Sequence, residues 1–379
     1  MGNYSDPILK CHSCGSEFPQ YSPIWRCPCG GVLDVRGASI FPRDQLARRP
    51  MNFWRYRESL ALPEDEPRIS LGETITSLLR VRFRDWDVSM KLDHTLPTGS
   101  YKDRGVAVCL NHLYKMGFQI VSEDSSGNAG ASTAAYAAAA GMHANIFVPE
   151  TTSPAKINQI KIYGAECHLV SGTRTEAAKE AQIERQATQY IGHSWNPFFA
   201  CGIKSIAYEI AEQCDWCPPD WIVTPVGGGS LVMGLIDGFG DLLDAGYIQN
   251  IPKIVAVQSA ACAPIYQAWS RHEPKVTSVE LQQTYAEGVA LPNPPRGTQV
   301  LEAIRRTDNV MLSVDDADLI SCWRDMARIG IFMEPTSALT VAGAYLARTG
   351  REIIAEKDKT VIIVTGHGLK TKSTLVNVT

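Results

Sequence analysis

The chain has 379 residues, 45% of them hydrophobic and 20% charged, with a formal net charge of -4, which is enough for two compact domains with sizeable cores. A nearly balanced charge without long runs of one sign disfavours a nucleic-acid polyanion or an anionic membrane as partner and leaves small molecules as the default. The opening MGNYSDPILK lacks the basic-then-apolar pattern of a secretory signal, and no uninterrupted apolar run reaches roughly 20 residues, so a soluble, cytoplasmic protein is expected.

The first distinct segment is CHSCGSEFPQYSPIWRCPCGG, in which Cys11-x2-Cys14 and Cys27-x-Cys29 form two thiol pairs, each followed by glycine. Two tight turns presenting two thiolates each would suit one tetrahedral zinc ion, although the second pair is one residue closer than the usual knuckle. The spacing therefore leaves two readings, a zinc-ribbon-like module over residues 1–36 and four reduced thiols. The odd total of 11 cysteines, scattered through a large chain, argues against a disulfide framework. Only Lys10 and Arg26 lie close to these cysteines, too few cations for a nucleic-acid module.

After a Pro- and Arg-containing connector, short β-rich runs alternate with amphipathic or Ala-rich helical stretches, from VSMKLD through QIVSEDSSGN, ASTAAYAAAAG and ANIFVPE to DWIVTPVGGGS, KIVAVQSA and TVIIVTGHG. Such alternation predicts parallel α/β architecture, with ligand loops at the carboxyl ends of the strands. Three of these loops could carry chemistry. In LPTGSYKDRG, Lys102 stands between a turn and a helix start, where it is either a solvated charge or a nucleophilic amine. SSGNAGAS, residues 125–132, places two hydroxyls and Asn128 before a helix of very small residues; it is either a capped helix start or a loop whose amides wrap a carboxylate. GGGS, Gly227 to Ser230, follows the apolar strand WIVTPV and precedes a helical stretch, as a phosphate cradle or a plain strand-to-helix turn would. It is neither a P-loop nor a dinucleotide fingerprint. A lysine able to form a Schiff base, combined with a phosphate-cradling loop, suggests pyridoxal 5'-phosphate.

The ordered set PTGSYKDRG, SSGNAGASTAAYAA, VTPVGGGS, MEPTSALTVAG and VTGHGLK resembles the tryptophan-synthase-β-like, fold type II pyridoxal-phosphate enzymes over nearly the whole chain. Within them the cysteine module, AEGVALPNPPRG and TGHGLKT are most similar to the threonine synthase group. The resemblance implies two three-layer α/β domains with mostly parallel sheets: a large pyridoxal-phosphate domain over 37–104 and 194–379 and a small mobile domain over 105–193. It implies Lys102 as Schiff-base lysine and general base, Asn128 at the ring hydroxyl, and Gly227, Gly228, Gly229 and Ser230 at the phosphate. Thr365 would face the pyridine nitrogen. Ser125, Ser126 and Gly127 would cradle the substrate carboxylate, with Thr98 and Lys204 also contacting substrate. A homodimer acting on a free amino acid is implied as well.

The chain departs from the family pattern where its Asn-Pro-x-Arg-x-Glu-Gly-x-Lys stretch reads NPFFACGIKS, with Phe199 for the arginine that helps bind substrate phosphate, Cys201 for the glutamate, and Lys204 retained. Leu96 likewise replaces a common asparagine. These departures bear on the substrate and not on the cofactor, because a lost guanidinium fork weakens recognition of a dianion. Lys156, Arg296 and His193 are either its replacements or ordinary solvated side chains. The resulting expectation is elimination or replacement on a side-chain-activated L-amino acid, with O-phosphohomoserine to threonine as the nearest family reaction. The alternatives are a β-replacing synthase, a serine/threonine deaminating lyase, and a non-catalytic protein that retains the cofactor.

Overall fold

A computed structural model describes residues 7–37, 43–62, 69–183 and 187–371. The chain begins with a three-stranded antiparallel sheet in which β1 (Ile8–Cys11) pairs with both β2 (Glu17–Pro19) and β3 (Leu33–Arg36). This pairing draws both cysteine turns together, so that the Sγ atoms of Cys11, Cys14, Cys27 and Cys29 all lie within 4.8 Å of one another. The Cys11–Cys29 and Cys14–Cys27 separations are 3.5 and 3.6 Å. Four sulfurs around one tetrahedral zinc stand roughly 3.8 Å apart for a Zn–S bond of about 2.3 Å, so the quartet suits that ion. Within it, the side-chain and backbone hydrogen bonds to Ser16 pull the Cys14 thiol down to about 6, while Cys27 is pushed up to about 12 and Cys29 is also raised, so without a metal the four sulfurs are not all thiolates.

A short helix α1 (Arg43–Leu46) precedes the hairpin β4 (Leu78–Phe83) and β5 (Trp86–Leu92). There follow α2 (Lys102–Lys115), β6 (Ile120–Asp124), α3 (Asn128–Ala140), β7 (His143–Pro149), α4 (Pro154–Ile162), β8 (Glu166–Val170), α5 (Arg174–Ala181) and β9 (Thr188–Tyr190). Helices α6 (Pro197–Ile203) and α7 (Ser205–Gln213) lead to β10 (Trp221–Pro225), α8 (Ser230–Asp244), β11 (Lys253–Ser259), α9 (Pro264–Ser270) and α10 (Gly297–Arg305). The last elements are β12 (Val310–Val314), α11 (Asp316–Arg328), α12 (Pro335–Thr349) and β13 (Thr360–Val364).

Two compact units result, 1–75 with 96–205 and 76–95 with 206–379. The first holds the cysteine module and a wholly parallel sheet of order β8-β7-β6-β9. The second holds a six-stranded sheet of order β12-β11-β10-β13-β5-β4, parallel except for the β4–β5 hairpin. Both sheets agree with the α/β reading. The units divide at different points from the 104/105 and 193/194 boundaries expected from sequence: the Lys102 turn and α6 belong with the smaller sheet, because α2 packs along α3 and α6. Among the described residues no helix is long and apolar enough to cross a membrane.

Local sequence accounts for these elements. Strands β10 and β13 are buried at every position, as strands covered on both faces must be, and their runs WIVTP and TVIIV are correspondingly apolar. Helix α3 is almost all alanine, glycine and small polar residues, so it lies close to its sheet: a Cβ at Gly130 would fall 2.6 Å from Ile146 Cγ2. Helix α5 starts in a capping box between Thr173 and Glu176, and α11 starts at Asp315, whose carboxylate accepts the amides of Ala317 and Asp318.

One charge pair lies inside the second unit. Lys91 and Glu209, both with wholly buried side chains, meet at 2.5 Å, and Lys91 Nζ donates further to Thr76 O and Gln213 Oε1 at 2.8 Å each. Removing one member leaves the other buried and uncompensated, which costs about 3–5 kcal/mol, whereas an apolar pair of similar volume avoids that penalty. Glu209→Ala is therefore expected to lower unfolding stability by that amount in denaturant titrations, with most of the loss recovered in Lys91→Met/Glu209→Leu; equal losses in the two proteins would contradict this account. For the cysteine quartet, purified protein should carry about one zinc per chain, and Cys11→Ser less than about half of that, by elemental analysis. Zinc-free wild-type protein with an intact fold would exclude the metal.

Candidate active site

In the first unit the turn Leu96–Gly99 delivers the chain to α2, whose first residue is Lys102. Three following residues fix that turn. Asp103 is fully buried and accepts hydrogen bonds from Thr98 N at 2.8 Å, Thr98 Oγ1 at 2.5 Å and Ser132 Oγ at 2.7 Å. Arg104, also fully buried, donates to Ser205 Oγ at 3.1 Å. Gly105 lies under the Phe199 ring of α6, where an added Cβ would come within 2.4 Å of Phe199 Cδ2. Between these anchors Lys102 is half-buried, its Nζ 2.8 Å from Tyr101 Oη and 4.5 and 5.5 Å from the ring centres of Tyr101 and Phe199. Thr98, expected at the substrate, directs its amide and hydroxyl at Asp103, and Lys204 lies buried at the end of α6.

The next loop follows β6. Ser125 is buried and its Oγ accepts the amides of Gly127 and Gly130 at 2.8 and 2.9 Å, closing the loop on itself. Gly127 takes φ +129°, and the Lys156 side chain crosses it so closely that a Cβ would lie 2.1 Å from Lys156 Cδ. The loop needs glycine there for both reasons. Ser126 is half-buried and Asn128, the first residue of α3, is buried. The amides of this helix start offer a carboxylate a positive dipole end.

Behind the same loop lies a polar chain not legible in the sequence. Glu123 is fully buried, with Oε1 2.5 Å from His193 Nδ1, and Oε2 accepts the His193 amide at 3.3 Å. Arg174 Nη2 reaches His193 Nε2 at 3.1 Å and Asp124 Oδ2 at 3.2 Å, and Tyr190 Oη donates to Asp124 Oδ1. Burial and the neighbouring Asp124 push Glu123 well above the usual carboxyl range, while burial and the positive charges of Lys102 and Arg174 hold His193 well below the usual imidazole range. Lys156, His193 and Arg296 are thus buried groups and not the solvated side chains that the sequence also allowed.

In the second unit β10 runs into Gly227–Gly229 and then α8. Gly229 takes φ +100°, and a Cβ there would lie 2.7 Å from Arg296 Cβ; one at Gly227 would lie 3.0 Å from Gly288 O. The backbone is therefore bare along the turn, and α8 opens on a residue with no side chain to cap its first amides. Arg296 is fully buried beside it, its amide donating to Gly228 O at 3.2 Å and its Nη1 to Gln299 Oε1 at 2.8 Å. After β13, Thr365 Oγ1 lies 3.0 Å from Ser337 Oγ and 3.2 Å from Glu334 Oε1, and the Thr365 amide donates to Ser337 Oγ at 2.9 Å. Glu334 stands at the N-cap of α12 without capping it; its buried carboxylate turns instead toward Gly366, where a Cβ would meet it at 2.3 Å.

The expected residues thus fall into two sets, Thr98, Lys102, Ser125, Ser126, Gly127, Asn128 and Lys204 in the first unit and Gly227, Gly228, Gly229, Ser230 and Thr365 in the second. Glu123, Arg174, Ser337 and Glu334's turn toward Thr365 were not foreseen. The donor types fit pyridoxal phosphate: an amine for its aldehyde, an uncapped glycine turn at a helix start for its phosphate, and a hydroxyl supported by a carboxylate for its ring nitrogen.

Comparison with known proteins agrees. Residues 69–366 match the family model described as pyridoxal-phosphate dependent enzyme. A threonine synthase of Methanosarcina acetivorans is 32% identical over 98% of this chain and 94% of its own length, and one of Methanocaldococcus jannaschii is 30% identical over 96% and 93%. Among solved structures, processed threonine deaminase isoform 2 from Solanum lycopersicum superposes with a TM-score of 0.69 at 19% identity, covering 90% of this chain and 96% of that one. The fungal L-serine ammonia-lyase from Rhizomucor miehei gives 0.68 at 24% identity, covering 78% and 94%, and both share the fold. With its motifs, its parallel sheets and a match across most of its length, the chain belongs to the pyridoxal-phosphate dependent enzymes of fold type II.

Proposed function

We propose that the protein catalyses elimination or replacement on a side-chain-activated L-amino acid in the manner of threonine synthases, with O-phosphohomoserine to threonine as the nearest reaction. The observation that carries this reading is the near end-to-end similarity, at 30–32% identity, to two proteins named threonine synthase. The bound cofactor supplies an electron-withdrawing ring that stabilises negative charge at the substrate α-carbon. The residues of this chain do the rest. Lys102 would hold the cofactor aldehyde, and its amine would take and hold the substrate α-proton. The turn of Ser125, Ser126 and Gly127 receives the substrate carboxylate on backbone amides, and Asn128 orients the ring through its hydroxyl. Gly227, Gly228, Gly229 and Ser230 hold the cofactor phosphate. Thr365 would meet the ring nitrogen with a hydroxyl that donates its proton to Glu334 Oε1, 3.2 Å away, and so offers the nitrogen a lone pair. Thr98 and Lys204 serve the substrate side. The reading extends to a cytoplasmic homodimer acting on a free amino acid, with no nucleic-acid partner.

A second reading, a β-replacing synthase or a serine/threonine deaminating lyase, is favoured by the interior of α6. Phe199 is fully buried against Gly105, and buried Cys201 directs its Sγ at Ser59 O, 3.7 Å away. These positions contribute apolar packing and no guanidinium for a dianionic leaving group.

Incubation of the purified holoprotein with O-phosphohomoserine, O-phosphoserine, O-acetylserine, serine and threonine, with phosphate, ammonia and keto acid measured in each case, separates the two. Phosphate and threonine formed from O-phosphohomoserine are expected on the first reading. Keto acid and ammonia from serine or threonine, with O-phosphohomoserine inert, would replace it with the second.

A further inference from the structure

Tyr101 has no part in the chemistry assigned so far, yet it touches the nitrogen at its centre. Lys102 Nζ donates a hydrogen bond to Tyr101 Oη over 2.8 Å and lies 4.5 Å from the centre of the same ring. Tyr101 stands immediately before α2, and its carbonyl accepts the Arg104 amide at 3.1 Å, so its backbone is fixed in the same turn as that of Lys102. Both residues are half-buried, which shields the contact in part from water. Phe199 faces Nζ as well, its ring centre 5.5 Å away, but a phenyl ring has no oxygen to offer.

A neutral amine carries one lone pair and two protons, and a hydrogen bond donated through one proton leaves the lone pair free. The lone pair is what takes a substrate proton. Once it has done so the nitrogen is an ammonium, and the same contact to Oη becomes charge-assisted, roughly twice as strong as its neutral form. An interaction that strengthens as charge develops lowers the barrier to developing it. The phenol can also donate its own proton to the neutral amine, but the charge-assisted contact is the stronger of the two.

We propose that Tyr101 is a catalytic residue whose phenol oxygen accepts from Lys102 Nζ, aims the amine and stabilises the ammonium that it becomes. In that step the proton passes from the substrate α-carbon to Nζ, the electron pair of the broken bond stays with the carbon, and the phenol keeps its own proton. Other titratable groups act on the same nitrogen. Glu123 of β6 and His193 after β9 feel the Lys102 charge; burial and Asp124 push Glu123 up, and burial with the charges of Lys102 and Arg174 holds His193 down. Asp103 and Arg104, next in sequence, are bonded to Thr98 and Ser132 and to Ser205. Deleting the phenol oxygen leaves all four in place, so their effect is common to wild type and variant.

This inference rests on Lys102 being the cofactor lysine, and its test separates the two ideas. In cofactor-free protein, the rate at which acetic anhydride acetylates Lys102, followed by peptide mass mapping between about pH 6 and 11, reports the proton on its nitrogen. Tyr101→Phe keeps the ring and deletes one atom; its midpoint is expected about one pH unit below wild type, because a hydrogen bond to the charged form favours that form. In the cofactor-loaded protein the same variant should lower kcat about tenfold, with KM within about twofold, on whichever amino acid of the panel above wild type converts. Tyr101→Leu removes the ring as well, and its midpoint should fall at least as far. A Tyr101→Phe midpoint equal to wild type, whatever Tyr101→Leu shows, assigns the ring a packing role, overturns the proposal and leaves the function standing. A cofactor that borohydride fixes on a lysine other than Lys102 overturns both.

Discussion

Helices α2 and α6 meet at glycines, and the placement of Lys102 depends on that contact. At Gly105 a side chain would collide with Phe199, and at Gly202 a Cβ would lie 2.3 Å from Arg104 O. With nothing between the two backbones, the first turn of α2 is pressed against α6 as closely as two helices allow. Asp103, saturated by Thr98 and Ser132, and Arg104, bonded to Ser205, fasten the same turn from its other sides. A lysine has four rotatable bonds, so a defined amine position requires a backbone that does not yield. The Asp-Arg-Gly following Lys102 is that fixture, and each of its residues is buried.

The second unit solves its part of the problem with the same local device, a parallel strand opening through a bare turn into a helix. Gly227–Gly229 after β10 is lined by amides, because side chains at Gly227 and Gly229 would strike Gly288 and Arg296. After β13, Thr365 and Gly366 are held by the hydroxyl of Ser337, and Glu334 lies against both. Each unit thus presents backbone amides and one or two side chains at the carboxyl ends of its strands, where parallel sheets leave unsatisfied groups and helix dipoles converge. Sheets covered on both faces can present nothing elsewhere, since every other strand residue is needed for packing.

What could be read from sequence was whatever is local. The alternation of strands and helices, the start of α2 at Lys102, the Ala-rich α3 ending before Gly141, the glycine turn before α8 and the cysteine quartet are all encoded within about 20 consecutive residues. The chain Glu123–His193–Arg174–Asp124–Tyr190 is not, because its hydrogen-bonded partners lie 19 to 70 positions apart and meet only through the order of strands in the small sheet. A charged pair in β6 next to a serine loop was its sole sequence trace, and Glu-Asp dipeptides are usually solvated. For the same reason Lys156 and Arg296 could not be told from surface cations. The compact units divide at other points than the sequence boundaries because the Lys102 turn adjoins β5 in sequence but packs with α3 and α6.

The account stands on one covalent claim, that Lys102 and no other lysine carries the cofactor. Lys156 and Lys204 are buried in the same unit and are the competitors. Borohydride reduction of the holoprotein converts a Schiff base into a stable secondary amine, and peptide mass mapping then locates the pyridoxyl group. Modification confined to Lys102, at about one group per chain, is the predicted result. A label on Lys156 or Lys204, or no label on a protein that binds the cofactor, would contradict it.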